Sequence, residues 1–173
     1  MKHDAYSDAY IRDILAGNRV IAMVGASANT SRPSYFAMKY LKQKGFTVIP
    51  VNPGQEGKEI LGEKVYASLA DIEQPVDIVD IFRASAAALG VTREAIRIGA
   101  KVVWMQLGVR NDEAAKLAED AGLQVVMNRC PKIEYGRLSG ELGWAGVNSR
   151  MLSSRRPILG AKGVQHRVLG TKA

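Results

Sequence analysis

Residues 24–36 read VGASANTSRPSYF, and they gather the side chains best suited to holding an anion: Ser27, Asn29, Arg32 and Ser34, just after Gly25 and Ala26. A short apolar run over 20–24 leads into this stretch, and a helical pattern leaves it. That is the setting of a dinucleotide-binding loop, yet the second and third glycines of G-x-G-x-x-G are missing. A glycine loop brings backbone up to a pyrophosphate. Here hydroxyls and one guanidinium take that task, helped by the N–H groups of a helix N-terminus. The stretch reads as an anion site with Arg32 as its charge.

Two further stretches bear on the ligand. After a second apolar run comes PVNPGQEGKEILG, with Asn52 and Pro53 and no acid before Glu56. A site for NAD normally places Asp or Glu there, to bond the ribose hydroxyls. An amide followed by Pro-Gly tolerates a phosphate on the ribose, and Lys58 is within reach of one. NADP and coenzyme A both satisfy this condition. At the end of a fourth run, DIFRAS presents Phe82 and Arg83, an aromatic face for adenine and a guanidinium for phosphate.

The elements that must position these residues are legible as strand–helix alternation. Apolar, β-branched runs at 20–24, 46–51, 76–81, 101–105 and 124–127 fit strands covered on both faces. A shorter strand is expected at 64–66, as the third and at an edge. Helices are expected over 5–16, 33–44, 68–73, 85–99 and 111–121, with Pro33 in a first turn and Gly45, Gly99 and Gly122 as stops. This predicts an α/β fold: a single Rossmann-like, doubly wound parallel sheet of about six strands in the order 3-2-1-4-5-6, with an N-terminal helix and a C-terminal extension. Ligands lie at the carboxyl ends of strands where that order reverses. The crevice is therefore expected between 25–34 and 82–85, bordered by 51–58.

Length and composition fit one ordinary globular domain. The chain has 173 residues, 47% hydrophobic and 24% charged. No window approaches a membrane-spanning helix, no signal peptide is recognisable, and the lone cysteine, Cys130, rules out an internal disulfide, so a cytoplasmic location is expected. The net charge of +7 is not spread evenly. Residues 1–136 hold 17 Lys/Arg against 16 Asp/Glu, while 137–173 hold seven against one. We expect one Rossmann-like domain over 1–138 and a basic extension over 139–173. The scattered apolar residues of the extension favour packing across a homodimer over binding nucleic acid.

No catalytic constellation emerges. The two histidines, His3 and His166, lie near the two ends, and no Ser/His/Asp set, carboxylate pair or metal cluster is spaced for chemistry. Asp77 and Asp80 fall within a strand pattern and read as structural. Cys130, in NRCPKIEYG after the last run, reads as a packing residue before a turn-setting proline. The alternative is a reactive thiol beside a thiol ligand.

Taken together, VGAS…RPS, IPVNP…LGEKVYASLADI, VDIVDIFR, the block from GAKVVWMQLGV to VVMNRCPKIE and their order resemble the small stand-alone coenzyme-A-binding proteins, which are similar to the CoA-binding domain of the succinyl-CoA synthetase alpha subunit. The resemblance covers about residues 10–138. It implies a single Rossmann-like domain holding CoA by its ADP moiety, with Gly25, Ser27, Arg32, Ser34, Asn52, Pro53, Phe82 and Arg83 as contacts; with no catalytic constellation, a non-catalytic CoA- or acyl-CoA-binding protein is expected. The family often has Lys after Asn-Pro, where this chain has Gly54, and tends to have Asp before Arg-Cys-Pro, where it has Asn128. An NADP-dependent oxidoreductase and an accessory subunit of an acyl-CoA enzyme stand as the alternatives.

Overall fold

The computed structural model describes residues 2–140. The first compact unit runs to Glu134 and contains the whole sheet. A central parallel sheet is built from β1 (Val20–Val24), β2 (Thr47–Val51), β5 (Ile78–Ile81), β6 (Val102–Met105) and β7 (Gln124–Val126), in the order β2-β1-β5-β6-β7. The hairpin strands β3 (Glu59–Ile60) and β4 (Glu63–Lys64) form a separate two-stranded sheet. The helices are α1 (Asp8–Gly17), α2 (Pro33–Gln43), α3 (Ser85–Arg97), α4 (Asp112–Asp120) and α5 (Pro131–Leu138), whose end, from Tyr135, belongs to a second unit.

Strand alternation sorts the core into two layers. Ala22, Ile49, Val79, Ile81, Val103, Met105 and Val125 face α3 and α4 and pack with Ala88, Ala95, Ala114 and Ala118. Alanine on those helices lets them lie close against the sheet. Ile21, Met23, Ile78, Asp80, Val102 and Trp104 face the other way, the side that buries Ile11 and Ile14 of α1 and Met38 and Leu41 of α2. Both faces are covered, which is why the strands read as unbroken apolar runs.

The expected sixth strand is not a member of the sheet. Tyr66 makes a single parallel bridge to Val51, its N–H donating to the Pro50 carbonyl while its own carbonyl accepts from Asn52. Pro50 therefore turns its backbone outward at the sheet edge and has no N–H to extend the ladder. Upstream, residues 63–64 turn back on 59–60 through Leu61 and Gly62, both at positive φ (53° and 80°), the backbone of a two-residue hairpin turn. A leucine in the left-handed region hid that turn from the sequence. The helix expected over 68–73 is a single tight turn, Leu69–Asp71, capped by Ser68 and Asp71. Pro131 does not set a turn: it opens α5, where its fixed φ suits a first helical residue.

The far edge of the sheet is covered as well. The Tyr10 hydroxyl donates to the carbonyl and accepts the N–H of Val125, and Tyr6 Oη accepts from Met127 N at 2.7 Å. His3, buried rather than loose, holds Tyr6 through Nδ1 at 3.0 Å and lies 3.4 Å from Glu119. Asp77 tethers β1: its Oδ2 accepts from the N–H groups of Arg19 and Val20, and Oδ1 pairs with Lys101 at 2.7 Å. Burial raises its pKa, but these donors prevail and hold it below the ordinary value. From residue 141 the basic extension, with His166 and the expected dimer contact, lies outside the described residues.

Candidate functional site

Strand order reverses between β1 and β5, since the chain leaves β1 for the β2 edge and returns to β5 on its other side. The loops after β1 and β5 diverge there, and their ends meet at Gly25. Its N–H donates to Val51 O at 2.8 Å, and one residue back Val24 O accepts from Phe82 N at 2.8 Å. Gly25 sits at φ +91°, and a Cβ there would strike the Phe82 carbonyl oxygen and lie 3.0 Å from Arg83 Cδ. One glycine is therefore required, for close approach of the two loops. This answers why the second and third glycines are dispensable to the fold.

Beyond Gly25 the loop is wired to itself. Ser27 Oγ accepts from Asn29 N, and Asn29 Oδ1 accepts from both Ser31 N (2.9 Å) and Ser31 Oγ (2.7 Å). Asn29 O accepts from Arg32 N at 3.0 Å. Ala28 N donates to Gln55 Oε1 at 3.0 Å. Four N–H groups of this loop, those of Ala28, Asn29, Ser31 and Arg32, are thus engaged within the protein. Among the described residues none accepts from the N–H groups of Ser27, Thr30 or Ser34. Arg32 is the residue before α2, its side chain exposed, and Ser34 is buried in the first turn.

The loop after β2 is joined to the first. Asn52 Nδ2 donates to Ala26 O at 2.8 Å, and Asn52 Oδ1 caps the turn at Pro53 by accepting from Gly54 N. Asn52 is therefore a brace between loops, and Gln55 is a second brace that the sequence reading missed. Lys58 stands beyond that turn, exposed, its backbone bonded to Gln55 and Val65.

A cavity of about 580 Å³ opens on the other side of the β1 loop. Its walls come from Ser31, Pro33, Phe36 and Ala37, from Phe82, from Gln106, Leu107 and Val109 after β6, and from Cys130, Lys132 and Ile133 at the start of α5. Of the ligand contacts expected from the sequence only Phe82 lines it, together with the candidate thiol Cys130, and the loop over 51–58 does not border it. The volume falls in the range of ligand pockets and the lining is chiefly apolar, with Phe36 and Leu107 half exposed at its surface. The donors after Gly25 suit a polyphosphate, and this cavity suits an apolar arm. The two adjoin at Ser31 and Pro33, so the residues present fit a ligand with both parts.

Two buried polar side chains meet here, Gln106 on the cavity wall and Asp80 behind it. Asp80, wholly buried on β5, accepts from Gln106 Nε2 at 2.9 and 3.1 Å, and burial pushes its pKa up to about 8 against the lowering effect of that bond. Burial also pushes the Cys130 thiol up, and the nearby Asp80 adds to the rise. Asn128, at φ +53°, accepts from Gly108 N at 2.8 Å and so joins the loops after β6 and β7. Trp104 Nε1 donates to Arg129 O at 2.8 Å. Among the described residues no three His, Cys, Asp or Glu gather as for a metal ion, and no helix is long and apolar enough to cross a membrane.

A doubly wound sheet whose switch point carries a hydroxyl-rich loop and an adjoining cavity defines a Rossmann-like ligand-binding domain. The comparisons with known proteins make that class specific. The CoA binding domain family matches residues 19–136. The chain is 38% identical over 129 residues, 75% of its length, to the uncharacterized protein YneT of Bacillus subtilis (strain 168), of which it covers 94%. The structure of a hypothetical protein from Pyrococcus horikoshii OT3 superposes with a TM-score of 0.76 at 43% identity, over 81% of this chain and 97% of that one. The dinucleotide-forming acetyl-coenzyme A synthetase 1 of Ca. Korarchaeum cryptofilum superposes with a TM-score of 0.59 at 26% identity, over 68% of this chain but 27% of the larger one. The chain belongs to the CoA binding domain family and is related to the CoA-binding region of acyl-CoA synthetases.

Proposed function

We propose that this protein binds coenzyme A or an acyl-CoA without catalysing its turnover, holding the ADP moiety at the carboxyl edge of the sheet. One observation carries the reading: three N–H groups, of Ser27, Thr30 and Ser34, unengaged among the described residues, share a loop with the exposed Arg32 at the switch point of a CoA-binding-family fold. In this reading the pyrophosphate lies on Ser27, Arg32 and Ser34, Phe82 and Arg83 flank the adenine, and Lys58 meets the ribose phosphate. Gly25, Ala26, Asn29, Asn52 and Pro53 shape the loops that contact it. The domain spans 1–138, acts in the cytoplasm and forms a homodimer.

The test is a thermal shift of the full chain with CoA, acetyl-CoA, NADP and NAD side by side. A ligand at 100 times its Kd adds about 2.7 kcal/mol to the native state, a rise of roughly 5–11 °C for a chain of this size. CoA and acetyl-CoA are expected to give it, and NAD to give none. Arg32→Ala should weaken CoA by about 10- to 150-fold, the loss of a charge-assisted contact. A shift with NADP alone would favour the oxidoreductase reading instead.

A further inference from the structure

Gln106, on the wall of the cavity, is 5% exposed and is held from three directions. Its backbone N–H donates to Ile81 O at 3.3 Å and its carbonyl accepts from Val109 N at 2.8 Å. Its side-chain Nε2 donates to the two oxygens of the wholly buried Asp80, at 2.9 and 3.1 Å. One atom is left over. Among the described residues none donates to Gln106 Oε1. Nor is that oxygen sealed in: the side-chain atoms closed off from solvent without a partner are His3 Nε2 and Thr92 Oγ1. An unpartnered oxygen that keeps some exposure, on a buried residue lining the cavity, opens on the cavity.

Such an oxygen can only accept. Carboxylate and acid alike leave an oxygen of Asp80 to accept from Nε2, so the orientation does not rest on the charge of Asp80. The other polar side chains of the wall do not duplicate it. Lys132 has only donors, Ser31 is exposed and its hydroxyl donates to Asn29 Oδ1, and the thiol of Cys130 is a weak partner. A pocket of this kind orients its ligand through the few polar groups it contains. We propose that Gln106 is the specificity-determining residue of this cavity, and that its Oε1 accepts a hydrogen bond from an amide N–H on the pantetheine arm of a bound CoA or acyl-CoA. This rests on the CoA reading above and adds to it a residue, an atom and a direction of bonding. An arm entering an apolar cavity loses the water on its amides, and an N–H left there without an acceptor weakens binding. The terminal S–H is a poor donor and a hydroxyl can turn to other acceptors. An amide is the group that gains most from a fixed one.

Calorimetry of the full chain tests this with adenosine 3′,5′-bisphosphate, CoA, S-methyl-CoA and two CoA analogues, each with one amide N–H replaced by an ester oxygen. An ester keeps the length of the arm but sets an acceptor where Oε1 requires a donor. One of the two should bind the wild type about 3- to 10-fold more weakly than CoA. Gln106→Met should weaken CoA by a similar factor, erase the difference between CoA and that ester, and leave the bisphosphate unchanged. S-methyl-CoA should match CoA in both proteins. In NMR of the wild type, the Gln106 side-chain amide signals should move on adding CoA and move less with that ester. Equal affinity of CoA and both esters in the wild type overturns the proposal, a result that needs no variant to fold. Constancy of those signals overturns it too, as does a discrimination that survives in Gln106→Met or one that follows the S–H. In each of these cases CoA still binds and the CoA reading stands. Absence of CoA binding to the wild type overturns the CoA reading, and this proposal with it.

Discussion

Asp80→Asn tests the least expected feature of this core, an acid wholly buried in a central strand and bonded to a neutral glutamine. Burial raises its pKa from the ordinary 3.8 to about 8, so the folded protein keeps a proton that the unfolded chain has already released. The sign follows from linkage. Between those two values the native state binds more protons than the unfolded one, so stability is greatest below about pH 4 and declines as pH rises, levelling off above about pH 8. Each pH unit in that window is worth about 1.4 kcal/mol. Asparagine keeps the shape and a bond to Gln106 but cannot ionise, so the variant lacks this decline. The advantage of Asp80→Asn over wild type should therefore grow by about 2.7 kcal/mol from pH 5 to pH 7. Other titrating groups are common to both proteins and cancel in the difference. Urea unfolding of the two at pH 5, 6, 7 and 8 measures it. A difference that stays constant across that range would refute a proton held on Asp80 in the fold.

Gly25→Ala should destabilise the protein by roughly 2 kcal/mol or more, because it combines a positive φ with a collision against the Phe82 carbonyl; denaturant melts giving less than 1 kcal/mol would show that the two loops part at little cost. Cys130, buried and with its thiol pushed up, should react with iodoacetamide at pH 7.5 at least about tenfold more slowly than in urea-unfolded protein. Rapid native labelling that CoA suppresses would make it a functional thiol.

Most of the sheet was legible because parallel strands covered on both faces must be apolar throughout, and 20–24, 76–81 and 101–105 each contain an observed strand. What escaped depended on backbone detail. Pro50 ends a ladder that the apolar run FTVIPV seemed to extend, and Leu61 takes a conformation normally left to glycine or asparagine. Helix α5 escaped because a proline after Arg-Cys suits a turn and a first helical residue equally well. The N-terminal helix was legible, but the hydroxyl bonds by which Tyr6 and Tyr10 hold the β7 edge are reported by no periodicity.

The candidate site was legible to the extent that its residues follow strands in sequence, as Gly25, Asn52 and Phe82 do. It was hidden where function and structure use the same atoms. Asn29 and Asn52 looked like ligand contacts, and in the structure their amides brace the loops; a residue type that can bond phosphate can equally bond a backbone N–H or carbonyl. Asp80 and Gln106 present the opposite case. VDIVDI offered two acids in one strand, and the same reading as structural was given to both. Asp77 sits at the start of the sheet, where Arg19, Val20 and Lys101 meet it with donors. Three residues on, Asp80 points to the other face and meets a glutamine just after the next strand. A strand three residues longer or shorter in register would exchange these surroundings. The distinction between a tethering carboxylate and a protonated acid behind a cavity is therefore made by strand pairing, and pairing is the one property of a parallel sheet that its own sequence run does not encode.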